Sequence, residues 1–152
     1  MKNTVEASPV KEGRSDDREW VSLANASKRA LDQRYEATFT VTTDGLGTVT
    51  TIWDSGDMPI NSAWEIQATV LCRVTNDNER GRFVVEGLFY RDSGVAVQEG
   101  ATLLAVAITS DPDFDVQFAI SGNGVILTVE DPGGSAVTDW SAMIKLREVR
   151  SS

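Results

Sequence analysis

The chain contains no histidine. That absence removes the commonest general base near neutral pH, the Ser-His-Asp and Cys-His arrangements, and the usual zinc ligand. Cysteine is nearly absent as well: Cys72 stands alone, so no intrachain disulfide can form, which fits synthesis in a reducing cytosol. Cys72 lies on the apolar face of an alternating stretch, where it reads as a small buried thiol rather than a nucleophile. With so few soft ligands, no transition-metal site is expected. No run approaches the ~18 apolar residues of a membrane span, and the opening "MKNTVEASPVKEGRSDDREW" lacks the apolar core of a secretory signal. A soluble protein is expected, with no membrane partner. Neither a Walker loop nor a dinucleotide fingerprint occurs, and no cofactor is expected.

Basic charge is also scarce. Fourteen Lys and Arg stand against 23 Asp and Glu, for a formal net charge of -9. Residues 1–34 hold seven basic and six acidic side chains, whereas residues 35–152 hold seven and seventeen. A body so acidic repels phosphate backbones, which excludes nucleic acid as its partner. The same charge keeps many copies soluble at high concentration.

What is present is enough for one domain with a short appendage: 152 residues, 41% of them apolar. Residues 1–15 are polar, with Pro9 and Gly13, and read as a tail or as an arm that orders against a partner. Ser15 or Asp16 can cap a helix, and Asp16, Asp17 and Glu19 suit its first turn. Trp20, Leu23, Ala24, Ser27, Ala30 and Leu31 then recur at three- and four-residue spacing, which predicts an amphipathic helix over about residues 16–33. An isolated helix of that length is marginal in water. Its stripe must therefore cover the rest of the chain or an identical helix, which makes Trp20, Leu23, Ala24 and Leu31 candidate anchor or oligomer contacts. The expected division is an N-terminal arm and helix over 1–34 and a β-domain over 35–152.

From Tyr35 the period changes to two. Ala37, Phe39 and Val41 alternate before the turn "DGLG", and a second strand runs to Trp53. "AWEIQATVLCRV" (63–74) is apolar at every second residue and predicts a long, half-buried strand. "RFVVEGLFYR" is apolar on both faces, as a doubly buried strand or a subunit contact would be. "GVAVQE" and "ATLLAVAIT" read as two short strands, followed by the hairpin "FDVQFAIS-GNG-VILTVE" and a closing "DWSAMIKLREV". Eight or nine strands without an intervening helix predict a mainly β fold, an antiparallel β-sandwich of jelly-roll-like type.

Three groups of residues are candidates for chemistry. Asp111, Asp113 and Asp115 in "DPDFD" and Asn76 to Glu79 in "NDNE" are oxygen-rich, but they lack the spacing of a calcium loop and read as solvated turns. Acidic loops could in principle supply the carboxylate pair of a glycosidase, yet no acid and base can be paired from the sequence. Trp64 and Trp140 are in phase with apolar neighbours and are expected in the core. Trp53, beside the loop "DSGDMPINSA", is the candidate ligand contact, as in carbohydrate-binding modules. On residue types alone the chain is expected not to be an enzyme.

Over residues 36–149 the order of features resembles the β-domain that closes many tailed-bacteriophage and prophage virion proteins, tail-fibre and head-fibre-like ones included. The resemblance is carried by "TTIWDS", "WEIQATVLCRV", "FVVEGLFYRDSGVAVQEG", "DFDVQFAISGNGVILTVED" and "WSAMIKLREV", with Trp53, Trp64, Gly122 to Gly124 and Trp140 as landmarks. It implies a fibre, decoration or adaptor component of the virion, made in the host bacterial cytoplasm and attached through its N-terminal region to other capsid or tail proteins. It further implies a homo-oligomer, with a trimer favoured. The alternative is a carbohydrate-binding β-sandwich that meets a host surface glycan.

Overall fold

The structure, a computed structural model, describes residues 32–75, 77–134 and 136–151. Eight strands make up its regular structure: β1 (Asp32–Thr43), β2 (Thr50–Asp57), β3 (Ser62–Val74), β4 (Arg80–Arg91), β5 (Val97–Thr109), β6 (Asp115–Ser121), β7 (Gly124–Glu130) and β8 (Thr138–Arg150). They form two sheets, a larger one in the order β1-β8-β3-β4-β5 and a smaller one in the order β2-β7-β6. All pairings are antiparallel. The mainly β, two-sheet expectation therefore holds. The division into five and three strands, with a β3–β4–β5 meander, differs from a jelly roll, which shares its strands equally between two Greek-key sheets.

Alternation sets the layers. Along β3, Trp64, Ile66, Ala68, Val70, Cys72 and Val74 are buried, while Glu65, Leu71 and Arg73 are exposed. β3 lies between β8 and β4, so "AWEIQATVLCRV" is the central strand of the larger sheet. Its polar face meets neighbours on the same face: Gln67 Nε2 donates to Glu86 (2.9 Å), and Arg147 approaches Glu65 at 3.4 Å. Phe83, Val85 and Phe89 of β4 and Trp140, Ala142 and Ile144 of β8 join the β3 residues in the core. Ile52, Trp53, Val116, Phe118, Val125, Leu127 and Val129 come from the smaller sheet. Edge-to-face rings tie the layers together, Phe89 with Phe118 at 5.4 Å and Phe114 with Trp140 at 5.7 Å.

Two readings are corrected. β1 begins at Asp32, so the strand period starts before Tyr35, and residues 32–33 are not the end of a helix. The rest of the expected helix, with Trp20, Leu23, Ala24 and Leu31, lies outside the described residues. The two short strands expected over 94–109 are one strand, β5. Gly100, at φ +74, passes an irregularity in the β4–β5 register without ending the pairing, because glycine adopts that conformation at little cost.

One buried carboxylate closes the end of the sandwich beyond β1. Asp131, 1% exposed, accepts hydrogen bonds from the backbone N–H groups of Gly45, Gly47 and Gly133 at 2.9–3.0 Å. Burial pushes its pKa up, but these bonds and one from Thr43 outweigh that and hold it below the ordinary carboxylate value. Trp140 Nε1 donates to the Thr43 hydroxyl (3.0 Å) beside it.

Three strands cannot cover five. The β2 edge of the smaller sheet meets β1, and its β6 edge meets β4 and β5. The two outer strands of the larger sheet therefore reach past their cover on opposite sides, and the two overhangs differ in chemistry.

Candidate functional site

The β1 overhang forms a cleft of about 470 Å³ against β2. Tyr35 and Phe39 come from β1, Leu146, Glu148 and Arg150 from β8, Trp64 from β3, and Trp53, Asp54, Ser55 and Asp57 from β2, with Pro59 just beyond. The register assembles it: Tyr35 lies opposite Leu146, and Glu148 lies opposite Trp64. An aromatic and apolar lining with a few convergent polar groups is the usual composition of a small-ligand site, and the volume lies within the ~300–1,000 Å³ range of such sites.

Glu148 is the organising polar group. It continues the inward series Trp140, Ala142, Ile144 and Leu146 and is only 4% exposed. A buried carboxylate needs partners, and it has two. Trp64 Nε1 donates to Oε2 and Arg150 Nη2 to Oε1, both at 2.7 Å. The Nε of Arg150 is buried and has no hydrogen-bond partner among the described residues. It is a free donor on the cleft wall that an acceptor oxygen could satisfy.

The β2 wall is shaped by backbone. Gly56 N donates to Asp54 (2.9 Å), and the Ser55 hydroxyl accepts from Val125 N (2.9 Å), at the second of two register shifts in β2. Gly124 makes this possible: a Cβ there would lie 1.8 Å from the Gly56 carbonyl oxygen. Asp54 and Asp57 lie on the rim, so three carboxylates face one guanidinium. Such a wall disfavours an anion and suits a neutral, hydroxyl-rich molecule whose hydroxyls donate to carboxylates and whose C–H faces lie on aromatic rings.

Trp53, the ligand contact expected from sequence, does line the cleft. At 5% exposure it offers only a rim, and Tyr35, at 38%, offers the larger open ring. Trp64 and Trp140 are buried, as expected of core residues. Tyr35, Glu148 and Arg150 were not anticipated as site residues. The one available signal was a carboxylate at an inward position of "WSAMIKLREV". The two acidic loops come near one another: desolvation first, then the charges of Asp77 and Asp111, raise the Glu79 pKa. No group of three His, Cys, Asp or Glu side chains placed to hold a metal occurs among the described residues. Burial pushes the Cys72 thiol up to about 11, which keeps it protonated and unreactive at neutral pH.

Comparison with protein families and with curated proteins finds no match for the sequence. Among solved structures, the chain is similar to the tailspike protein of Acinetobacter baumannii phage AM24, at 11% identity and a TM-score of 0.45 over 95% of this chain and 30% of that one. It is also similar to tailspike protein gp49 of the A. baumannii bacteriophage Fri1, a capsular polysaccharide depolymerase, at 13% identity and a TM-score of 0.40 over 92% of this chain and 24% of that one. The chain thus spans less than a third of either tailspike.

The expectation that the chain is not an enzyme is withdrawn: the Fri1 tailspike, of which the chain covers 24%, is a capsular polysaccharide depolymerase. A missing histidine and a buried cysteine remove imidazole and thiolate chemistry, but hydrolysis of a glycosidic bond can run on two carboxylates alone.

Proposed function

We propose that the chain is a tail-associated component of a bacteriophage virion whose β-sandwich receives a host surface glycan in the cleft between β1 and β2. The observation that carries the glycan reading is the cleft itself. Tyr35, Phe39 and the edges of Trp53 and Trp64 supply apolar surface, and Asp54, Asp57, Glu148 and Arg150 supply acceptors and a free donor. The virion reading is supported by the order of strands and turns over residues 36–149, which resembles that of phage virion β-domains. In this reading the N-terminal region, with Trp20, Leu23, Ala24 and Leu31, attaches the chain to other virion proteins, and the copies form a homo-oligomer, a trimer being favoured.

An array of bacterial surface glycans probed with the full chain and with Tyr35→Ala tests the cleft. Binding by the wild type that weakens in Tyr35→Ala supports the reading; binding to no glycan, or unaltered binding by the variant, contradicts it. Virions assembled with and without the protein, compared by electron microscopy, test its place on the particle.

A further inference from the structure

The second overhang is the outer face and free edge of β5. From Ala101 to Thr109 the strand reads "ATLLAVAIT", without one charged residue or proline. Leu103 is 58% exposed, Leu104 54% and Ile108 65%, and the alanines between them are open. Among the described residues β5 pairs with β4 on one side only. Thr102, whose hydroxyl accepts from Phe118 N at 3.2 Å, links it to β6 at one point.

The other sheet edges are built differently. β1 turns Thr38, Thr40 and Thr42 outward, β2 carries Asp54, Asp57 and two register shifts, and β6 turns out Asp115 and Gln117. Charges, bulges and polar alternation are the devices by which a free edge avoids pairing with another chain. Over nine residues β5 has neither a charge nor polar alternation, and its register shift against β4 at Leu104–Val106 leaves apolar side chains open on both sides of it.

We propose that β5 is the surface through which copies of this chain associate, with Leu103, Leu104, Val106 and Ile108 of one copy packed on a second. The inference goes beyond the glycan reading and does not depend on it. Charge selects a second copy as the occupant. Residues 35–152 hold ten more acidic than basic side chains, so two copies repel one another over most of their surface. They can approach closely only where charge is absent, and 100–110 is such a strip. A basic partner would be drawn to the acidic surface, and this strip offers it no charge to recognise. Area agrees. The strand exposes on the order of 500 Å² of apolar surface, at the upper end of the largest patch on a monomer. That is more than half of the roughly 800 Å² that each partner of a stable interface contributes, and the unpaired backbone edge adds to it.

Light scattering on the full chain over a dilution series tests the proposal, with Leu104→Lys/Ile108→Lys and Leu23→Lys as variants. The expected result is a wild-type mass that is a whole-number multiple of 16.5 kDa, a monomer for the β5 double variant with an unaltered far-ultraviolet spectrum, and a wild-type mass for Leu23→Lys. A monomeric wild type, a β5 variant that keeps its mass, or dissociation by Leu23→Lys alone would overturn it. Should the double lysine variant fail to fold, Leu104→Gln is the milder substitution, and it should shift the dissociation midpoint to higher concentration by at least tenfold. An unshifted midpoint would count against the proposal.

Discussion

The two overhangs of the larger sheet arise from one architectural fact and are finished in opposite ways. At β1, rings and carboxylates from four strands enclose a cleft, and the outward positions are threonines. At β5, apolar side chains stand in the open on both faces of an edge without charge over 101–109. An overhang enclosed by polar and aromatic groups suits a small hydroxylated ligand. An overhang that is neutral and apolar suits another protein surface. The unequal sheets thus leave two surfaces of different chemistry on opposite sides of one core.

The comparison can be broken most forcefully at Trp64, which is shared by the core and the cleft. Trp64→Ala leaves a cavity and strips Glu148 of its indole donor, and it should cost roughly 3–5 kcal/mol in denaturant unfolding. Leu104→Ala on the opposite overhang should cost the monomer less than about 1 kcal/mol; similar losses at the two sites would erase the distinction. Asp131 comes next. Asp131→Ala removes an acceptor shared by three backbone N–H groups and should cost about 2–3 kcal/mol. Because its pKa is lowered in the fold, its contribution is present above the unfolded-state pKa and is lost as pH falls through the folded one. Asp131→Asn should therefore flatten the acid side of the stability profile, and an unaltered profile would remove Asp131 from the account.

Smaller effects sharpen the contrast. Tyr35→Ala should leave unfolding within about 0.5 kcal/mol of wild type while weakening glycan binding by about tenfold, the loss of one aromatic contact of about 1.4 kcal/mol. Smallest of all, Cys72 should react with a thiol reagent at neutral pH only as fast as the fold opens, because burial holds the thiol up to about 11. Rapid labelling of the native chain would show that β3 is less enclosed than described.

Local pattern carried much of this fold in advance. Strict alternation over 64–74 made β3 legible as a core strand, and "SGNG" marked the β6–β7 hairpin. The β5 overhang was hidden behind a local signal. Gly100 resembles a turn, so "GVAVQE" and "ATLLAVAIT" read as separate strands, and only the pairing with β4 shows one continuous edge. The cleft was less accessible still. Trp53 stood out beside its loop, but Tyr35, Glu148 and Arg150 lie far from it in sequence and meet it only through the β1–β8–β3 register and the placement of β2. Register over such separations is a property of the assembled sheet, and no short window contains it. The number of strands in each sheet, which creates both overhangs, is set in the same way.

The most direct test of the two-overhang account is hydrogen exchange measured strand by strand on the full chain, over a concentration series and with a glycan that it binds. The account predicts that the β5 amides gain protection as concentration rises and ignore the glycan, while those of β2 around Asp54 to Asp57 gain protection from the glycan and ignore concentration. Exchange in β5 that is independent of concentration, or a glycan effect that falls on β5 and spares β2, would contradict it.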